Sequence, residues 1–190
     1  MVMSKDTRIR KESLRLRSWR PEDANSYDEA CNTPRVMRWL GGVQTRSALR
    51  ADVRCFINAE RRDGFTFWVV ELMPQRTFLG FCGLLTIRER DCPFLHQVEI
   101  GWRIREDAWR NGYAFEAASA TLRHAFKRLR LPSVVSRAAG GNTPSRKLMS
   151  KLGMRRRREL DYRPSGENDK LVVYSISAEE WCETTLHRKL

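Results

Sequence analysis

The sequence predicts an α/β protein in which strands and helices mix around one sheet. Three observations support this class. β-rich runs follow one another between residues 65 and 104 with short connections, which is typical of antiparallel pairing. A long amphipathic helix pattern then lies between the last of these runs and a new one at 133–139, as in a strand–helix–strand unit. The 190 residues, 41% hydrophobic and 31% charged, suffice for one domain with its own core.

The first half of the chain alternates short strands with helices. Leu14 and Leu16 alternate with arginines, which is the pattern of a half-exposed strand. Thr45 can cap a helix that reaches Arg62. The other predicted elements are a short helix opening at Pro21, a helical piece after Pro34 that ends at Gly41-Gly42, and strands at 65–72, 78–88 and 97–104.

The second half predicts a parallel pair of strands. Apolar residues recur at helical spacing over 115–129, and the run at 133–139 follows. The strands near Ile100 and Val135 should therefore lie parallel, joined by a right-handed crossover. The remaining predicted elements are a helix at 142–152 closed by Gly153, strands at 154–162 and 171–176, and a last helix opened by a capping box of Ser177 and Glu180.

The charge is strongly basic, and it predicts an anionic partner. Lys and Arg number 36 against 23 Asp and Glu, which gives a net charge of +13, and 29 of the 36 are arginines. Arginine binds phosphates and carboxylates through two parallel hydrogen bonds. The partner could be a nucleic acid, a nucleotide-like cofactor, an acidic substrate or an anionic membrane surface. The plain alternative is a basic surface that only keeps the protein in solution.

Other residue types argue against metals, disulfides and membranes. The five cysteines include no C-x-x-C pair, and the three histidines have no ligand spacing, so no metal is expected. No apolar run approaches the roughly 20 residues of a membrane helix. Residues 1–11 are basic and polar and lack the apolar segment of a secretory signal. We therefore expect a protein of the reducing cytoplasm.

The junction between the third β-rich run and the long helix carries the first chemical signal. It reads Trp109-Arg110-Asn111-Gly112-Tyr113-Ala114 and places a glycine where a helix begins. The first amides of a helix have no intrahelical acceptor, and glycine lets a ligand come close to them. Such amides, together with the helix dipole, suit a pyrophosphate. The alternative is that Gly112 only shapes a turn.

A second signal follows about 30 residues later and points to one family. Asn142-x-x-Ser145 opens the next helix, before Lys151-Leu152-Gly153-Met154. No G-x-G-x-x-G follows a strand, and residues 141–147 lack the second glycine of a Walker loop. Trp109-x-x-Gly112-x-Ala114 resembles the pyrophosphate loop Q/R-x-x-G-x-G/A of the GNAT superfamily of acetyl-CoA-dependent N-acetyltransferases. The Asn–Ser motif, Leu14–Arg17 and 36–41 are similar to its RimJ/RimL-like branch, and the resemblance spans roughly residues 14–176.

The resemblance implies a fold and a cofactor site. The GNAT fold is a mixed, mostly antiparallel sheet flanked by helices, in which parallel strands 4 and 5 splay apart around acetyl-CoA. Here it would occupy one N-acetyltransferase domain over 1–190, with its core at about 14–177. The implied pyrophosphate contacts are the amides of Arg110, Asn111, Gly112, Tyr113 and Ala114. The implied pantetheine contacts are the strand Ile100, Gly101, Trp102, Arg103 and Ile104, whose amides would polarise the thioester carbonyl, together with Asn142 and Ser145.

The resemblance also suggests two catalytic residues. Glu99 lies where many relatives carry a carboxylate base, and burial would raise its pKa. A structural or substrate-orienting role for Glu99 is the alternative. Many relatives use a tyrosine seven residues after the asparagine as the acid, but Met149 stands there in this chain. Ser145 is the substitute that the branch suggests, and its alternative role is to cap its helix.

The implied reaction is acetyl transfer to a primary amine, of a protein N-terminus or a small molecule, by direct attack in a ternary complex. The acceptor would contact residues 32–42 and 163–169, where Arg35, Arg38 and Trp39 are the candidate contacts. The basic surface favours an acceptor with anionic character, or one held on a ribosome. The alternatives are a non-catalytic protein that binds RNA or the ribosome and a CoA-binding sensor. A monomer and a homodimer are both open.

Overall fold

The computed structural model describes residues 14–90, 92–165 and 169–187, with side chains to 184. The basic segment 1–11, in which we saw no secretory signal, lies outside these residues, as does the centre of the proposed acceptor loop at 163–169. Within the described residues, no helix has the length and apolar character that crossing a membrane requires.

In the part of the chain that the structure describes, seven strands form one sheet in the order β1-β2-β3-β4-β5-β7-β6. Every neighbouring pair is antiparallel except β4 and β5, which run parallel as predicted. The strands are β1 (Leu14–Arg17), β2 (Phe67–Leu72), β3 (Thr77–Thr86), β4 (Val98–Ile104), β5 (Ser133–Ala139), β6 (Arg155–Arg156) and β7 (Leu171–Ser177). This is the mixed, mostly antiparallel sheet that the sequence predicts.

Among the described residues, five α-helices flank the sheet: α1 (Asp23–Cys31), α2 (Arg46–Asp63), α3 (Tyr113–Lys127), α4 (Thr143–Lys151) and α5 (Ala178–His187). Two predicted caps are confirmed. Thr45 Oγ1 accepts from the amide of Ala48 (3.3 Å), and Ser177 and Glu180 exchange the two hydrogen bonds of a capping box (2.9 and 3.1 Å). The helical piece predicted after Pro34 is a short 3₁₀ helix, Met37–Trp39.

The core divides into two layers because strand side chains alternate between the faces of the sheet. On one face α3, α4 and α5 cover Ile100, Val134 and Ile176. On the other face α1 and α2 pack an aromatic group that includes Trp19, Tyr27, Phe56 and Phe81. A smaller cluster formed by Ile87, Cys92, Phe94, Val135 and Val173 continues the core beside β5. Glu99 and Arg103 point to the α1–α2 face, since they alternate with Ile100.

The predicted strand at 154–162 is wrong in length. Arg155–Arg156 pairs with β7, residues 158–160 form a 3₁₀ turn, and pairing resumes at a single bridge between Tyr162 and Leu171. The Asp161 side chain explains the interruption, because it accepts from the amide of Val173 (3.0 Å) and forms an ion pair with Arg156. Arg155 and Arg157 both reach Glu180 (3.3 and 3.5 Å), on the other side of the segment from Arg156.

Candidate active site

The parallel strands β4 and β5 separate almost as soon as they meet. Their ladder contains one pair, Glu99 with Val135. One residue further, the Ser136 hydroxyl donates to the carbonyl oxygen of Ile100 (2.9 Å), and this bond closes the narrow end of the gap. Beyond it no strand of the described residues lies beside the edge of β4, which is the splay that the sequence resemblance implies.

The polar edge of β4 within the gap is centred on Trp102. Leu84 lies opposite Ile100 on β3, but its amide donates to the carbonyl of Thr66 on the β2 side (2.9 Å), so Leu84 and Ile100 are a pair without mutual hydrogen bonds. Because such pairs alternate along an antiparallel ladder, the backbone N–H and C=O groups of Ile100, Trp102 and Ile104 all point away from β3 and toward β5. The carbonyl of Ile100 is taken by Ser136, and that of Ile104 accepts from Trp109 Nε1 (2.7 Å). The backbone N–H and C=O of Trp102, between these two satisfied carbonyls, are therefore the groups of this edge that can pair with a ligand in the gap.

The loop before α3 forms an open cradle at the wide end of this gap. Arg110 and Gly112 both have left-handed backbone conformations (φ of 65° and 84°), and Gly112 is the N-cap of α3. A Cβ on Gly112 would meet nothing within 4 Å, and glycine has no side chain to occupy the first amides of the helix. The Asn111 side chain ties the loop to the carbonyls of Ala108 and Trp109 (3.2 and 3.3 Å). These residues fit a diphosphate group.

The start of α4 corrects one interpretation of Ser145. Asn142 caps this helix, because its Oδ1 accepts from the amide of Ser145 (3.2 Å). The cap role that we offered as the alternative for Ser145 is wrong, since Ser145 lies in the first turn and uses only its amide. Among the described residues its hydroxyl has no hydrogen-bond partner. Met149, which stands at the position of the family's tyrosine, is buried in the core and 1% exposed.

Glu99 lies at the narrow end of the gap, bound to Arg137 of β5. Arg137 Nε donates to Oε2 (2.7 Å) and Nη2 donates to Oε1 (2.9 Å). The same guanidinium donates to Glu89 (3.1 Å) and to the hydroxyl of Tyr162 (2.6 Å). Both side chains of the Glu99–Arg137 pair are 13% exposed. Because a carboxylate has about four acceptor sites, Glu99 can still accept from a water or an amine.

Burial and charge act in opposite directions on this pair. Burial raises the pKa of the Glu99 carboxyl, and the Arg137 guanidinium opposes part of that rise. Burial would lower the pKa of Arg137, but the hydrogen bonds and charges of Glu99 and Glu89 outweigh burial and raise it. Arg137 therefore stays a cation, while Glu99 titrates closer to neutral pH than an ordinary glutamate does.

Residues 35–39 cross the mouth of the gap. Val36 and Met37 are buried and anchor the segment. The Arg35 guanidinium lies 5.7 Å from the centre of the Trp109 ring, and its Nε is 3.5 Å from a Glu106 oxygen. Trp39 covers the loop after β5, where a Cβ on Gly141 would lie 2.7 Å from its ring. The structure thus brings the candidate acceptor residues to both sides of the gap.

Sequence reasoning missed the residues that surround Glu99. Arg137, Glu89 and Tyr162 come from three separate segments, and only the fold brings them together. One feature of the sequence does single out Arg137: it is the one charged residue of β5, among small and apolar residues. Among the described residues, no group of three or more His, Cys, Asp or Glu side chains is placed to hold a metal.

These features define an acetyltransferase of the GNAT class, and the comparisons with known proteins agree. The model of the acetyltransferase (GNAT) domain matches residues 13–155. The chain therefore belongs to the GNAT acetyltransferase family and is an acyltransferase. It is 28% identical over 144 residues to YnaD of Bacillus subtilis, which is named an uncharacterized N-acetyltransferase, and the match covers 75% of this chain and 79% of YnaD.

Solved structures share the fold. A GNAT-family acetyltransferase from Bacillus anthracis is 29% identical, with a TM-score of 0.72 over 88% of this chain and 96% of its own. The ribosomal-protein-S5-alanine acetyltransferase of Vibrio fischeri also has a TM-score of 0.72, over 93% of this chain and 99% of its own. At 16% identity that second likeness shows the fold alone.

Proposed function

We propose that this protein transfers an acetyl group from acetyl-CoA to a primary amine that carries anionic character. The observation that supports it most is the open gap between β4 and β5, with the α3 cradle at one end and Glu99 at the other. We place the enzyme in the RimJ/RimL-like branch and in the cytoplasm. Family membership favours catalysis over the RNA-binding and CoA-sensor alternatives.

The residues divide into those that hold acetyl-CoA and those that act on the amine. The amides of 110–114 would hold the pyrophosphate, the β4 edge at Ile100–Ile104 the pantetheine arm, and Asn142 and Ser145 the arm from the α4 side. When bound, acetyl-CoA supplies the acetyl group as a thioester, whose C–S bond breaks as the amide C–N bond forms. Backbone amides at the β4 edge would stabilise the negative charge that develops on the carbonyl oxygen.

Protons move at two side chains in this scheme. Glu99 accepts a proton from the amine, directly or through one water, so the carboxylate is the active form. The Ser145 hydroxyl donates to the departing thiolate. Glu99 lies on the α1–α2 face, and the proposed cofactor contacts lie at the gap and on the α3–α4 face. The amine would therefore reach the thioester from the α1–α2 side.

We expect Ser145→Ala to lower turnover by roughly 10²-fold, the lower end of the range for a lost proton donor, while leaving acetyl-CoA binding intact. Its helix should remain capped, because Asn142 supplies the cap. Ser150→Ala, on the exposed side of α4, is the matched control and should leave turnover unchanged. Equal turnover of the two variants would show that Ser145 has no role in the reaction.

We expect acidic acceptors to be preferred at low salt. The net charge of +13 attracts anions and repels polycations, and that field weakens as salt rises. Arg38 lies 4.8 Å over the Trp39 ring and pairs with no carboxylate among the described residues, so it is available to an acceptor carboxylate. The measurement is CoA release with paired acceptors, acidic peptides and free amino acids against spermine and kanamycin, at several salt concentrations.

The same assay on Arg38→Gln should show weaker discrimination between acidic and polycationic acceptors. Arg50→Gln removes an exposed arginine of α2 instead, so it is the control for net charge. Efficient acetylation of spermine or kanamycin with none of the acidic acceptors would contradict the proposed acceptor class. Salt-sensitive RNA binding without thiol release would favour the RNA-binding alternative.

A further inference from the structure

The Arg137 side chain connects four segments around Glu99. It sits on β5, two residues beyond the single ladder pair with β4, and reaches back across the gap to both oxygens of Glu99. Its Nη2 also donates to Glu89, in the connection from β3 to β4, and its Nη1 donates to Tyr162, between β6 and β7. Every guanidinium nitrogen therefore has an acceptor, so the orientation of the group is fixed from several sides.

We propose that Arg137 is a positioning residue for acetyl transfer, which holds Glu99 across the β4–β5 gap in the orientation and the ionised form that accept a proton from the acceptor amine. This inference rests on the proposed function, because it requires Glu99 to be the base. Arg137 itself need not touch either substrate.

The geometry supports this role because the sheet alone does not fix the Glu99 carboxylate. The single ladder pair places Glu99 opposite Val135, and the strands separate directly after it. The planar guanidinium meets the carboxylate with two short hydrogen bonds, which set both the position and the plane of the carboxylate. The lone pairs that Arg137 leaves free are then available for the amine or a bridging water.

The chain contains a second buried arginine, paired with carboxylates far from the β4–β5 gap, that serves as a matched control for Arg137. Arg17 on β1 is 14% exposed, and it binds Asp23 with two bonds (2.7 and 2.8 Å) and Glu71 with a third (2.6 Å). Burial and charge pairing therefore resemble those of Arg137, but Arg17 lies three strands away from β4. A merely structural role predicts that loss of either arginine lowers stability and does nothing further.

The pH dependence depends on the groups around Glu99. The titratable and charged groups that face it are Arg137, which binds it, and Glu89, Tyr162 and Cys92, which surround Arg137. An opposite charge at hydrogen-bond distance lowers the pKa of a carboxyl group. Removing Arg137 therefore raises the pKa of Glu99 further, and the active carboxylate then forms only at higher pH.

The test compares Arg137→Gln, Arg137→Lys and Arg17→Gln in the full chain. For each we would measure kcat/KM against pH, thermal unfolding, and the thermal shift with acetyl-CoA. The acid limb of the pH profile is the range in which kcat/KM rises as Glu99 loses its proton. We expect R137Q to move this limb to higher pH by about one to three pH units. R137K keeps the positive charge but loses the two parallel N–H donors that bind both oxygens of Glu99. Its acid limb should therefore stay near that of the wild type, while turnover falls roughly 10-fold because the carboxylate is less well oriented. R17Q should lose stability and leave the limb in place.

An unchanged acid limb and turnover in folded R137Q would overturn the proposal. If R137Q does not fold, R137K decides, because wild-type turnover in that variant would overturn it equally. An active wild type whose Glu99→Gln variant keeps full turnover would also overturn it, yet leave the acetyltransferase function standing. A wild type that neither binds acetyl-CoA nor releases CoA with any amine would instead reject the proposed function itself.

Discussion

Gly112→Asp should abolish the thermal stabilisation of this protein by acetyl-CoA and by CoA. The wild type should gain about 2.7 kcal/mol of folding free energy at a ligand concentration of ~100 times the dissociation constant. Gly112 is the N-cap of α3, and a Cβ there would point into open space within the cradle. An aspartate would place a carboxylate at the proposed pyrophosphate site, so we expect charge repulsion and bulk to abolish binding.

Two controls separate this effect from backbone strain. Gly64 has nearly the same conformation (φ of 78° against 84°), is equally open, and ends α2. Gly64→Asp should therefore keep the full ligand shift, and it should lower stability more than Gly112→Asp does, because its carboxylate lies at a helix C-terminus and opposes the helix dipole. Gly112→Asn adds the bulk without the charge and should fall between the two. A wild-type shift with neither acetyl-CoA nor CoA, or an undiminished shift in Gly112→Asp, would show that the cradle is not the cofactor site.

Glu99→Gln should lower turnover by roughly 10²-fold, which is the scale of a lost general base. The substitution keeps the shape of the side chain, so the acetyl-CoA thermal shift should persist. Burial raises the pKa of Glu99, and in the proposed mechanism the carboxylate is the active form. The wild-type rate should therefore rise with pH with an apparent pKa above that of an ordinary glutamate. This rise on the acidic side of the pH profile should disappear in the variant.

Glu71→Gln is the matched control for that experiment. Glu71 is 6% exposed and accepts from Arg17 (2.6 Å), so its loss should cost stability without changing the pH profile. The informative measurement is kcat/KM from about pH 5 to 9 for the wild type and both variants. If Glu99→Gln retained the wild-type turnover and profile, Glu99 would be a structural residue of the splay.

Most of the order of elements could be predicted from the sequence because local patterns report local structure. The helical periodicity of 115–129 and the β run at 133–139 predict the parallel pair, and the glycine at 112 predicts the exposed helix start. These features need only neighbours along the chain. The predicted strand at 154–162 failed because its interruption comes from a bond between Asp161 and the amide of Val173, twelve residues away.

The sequence by itself determined the class of the protein, and it predicted the loop at 110–114 as the candidate cofactor site and Glu99 and Ser145 as candidate catalytic residues. Only the tertiary structure decided what these side chains contact. It assigned the helix cap to Asn142, brought Arg35 and Trp39 to opposite sides of one gap, and surrounded Glu99 with Arg137, Glu89 and Tyr162. The physical reason is that hydrogen bonds and charge pairing depend on distance in space, and four separate segments meet where β4 and β5 part.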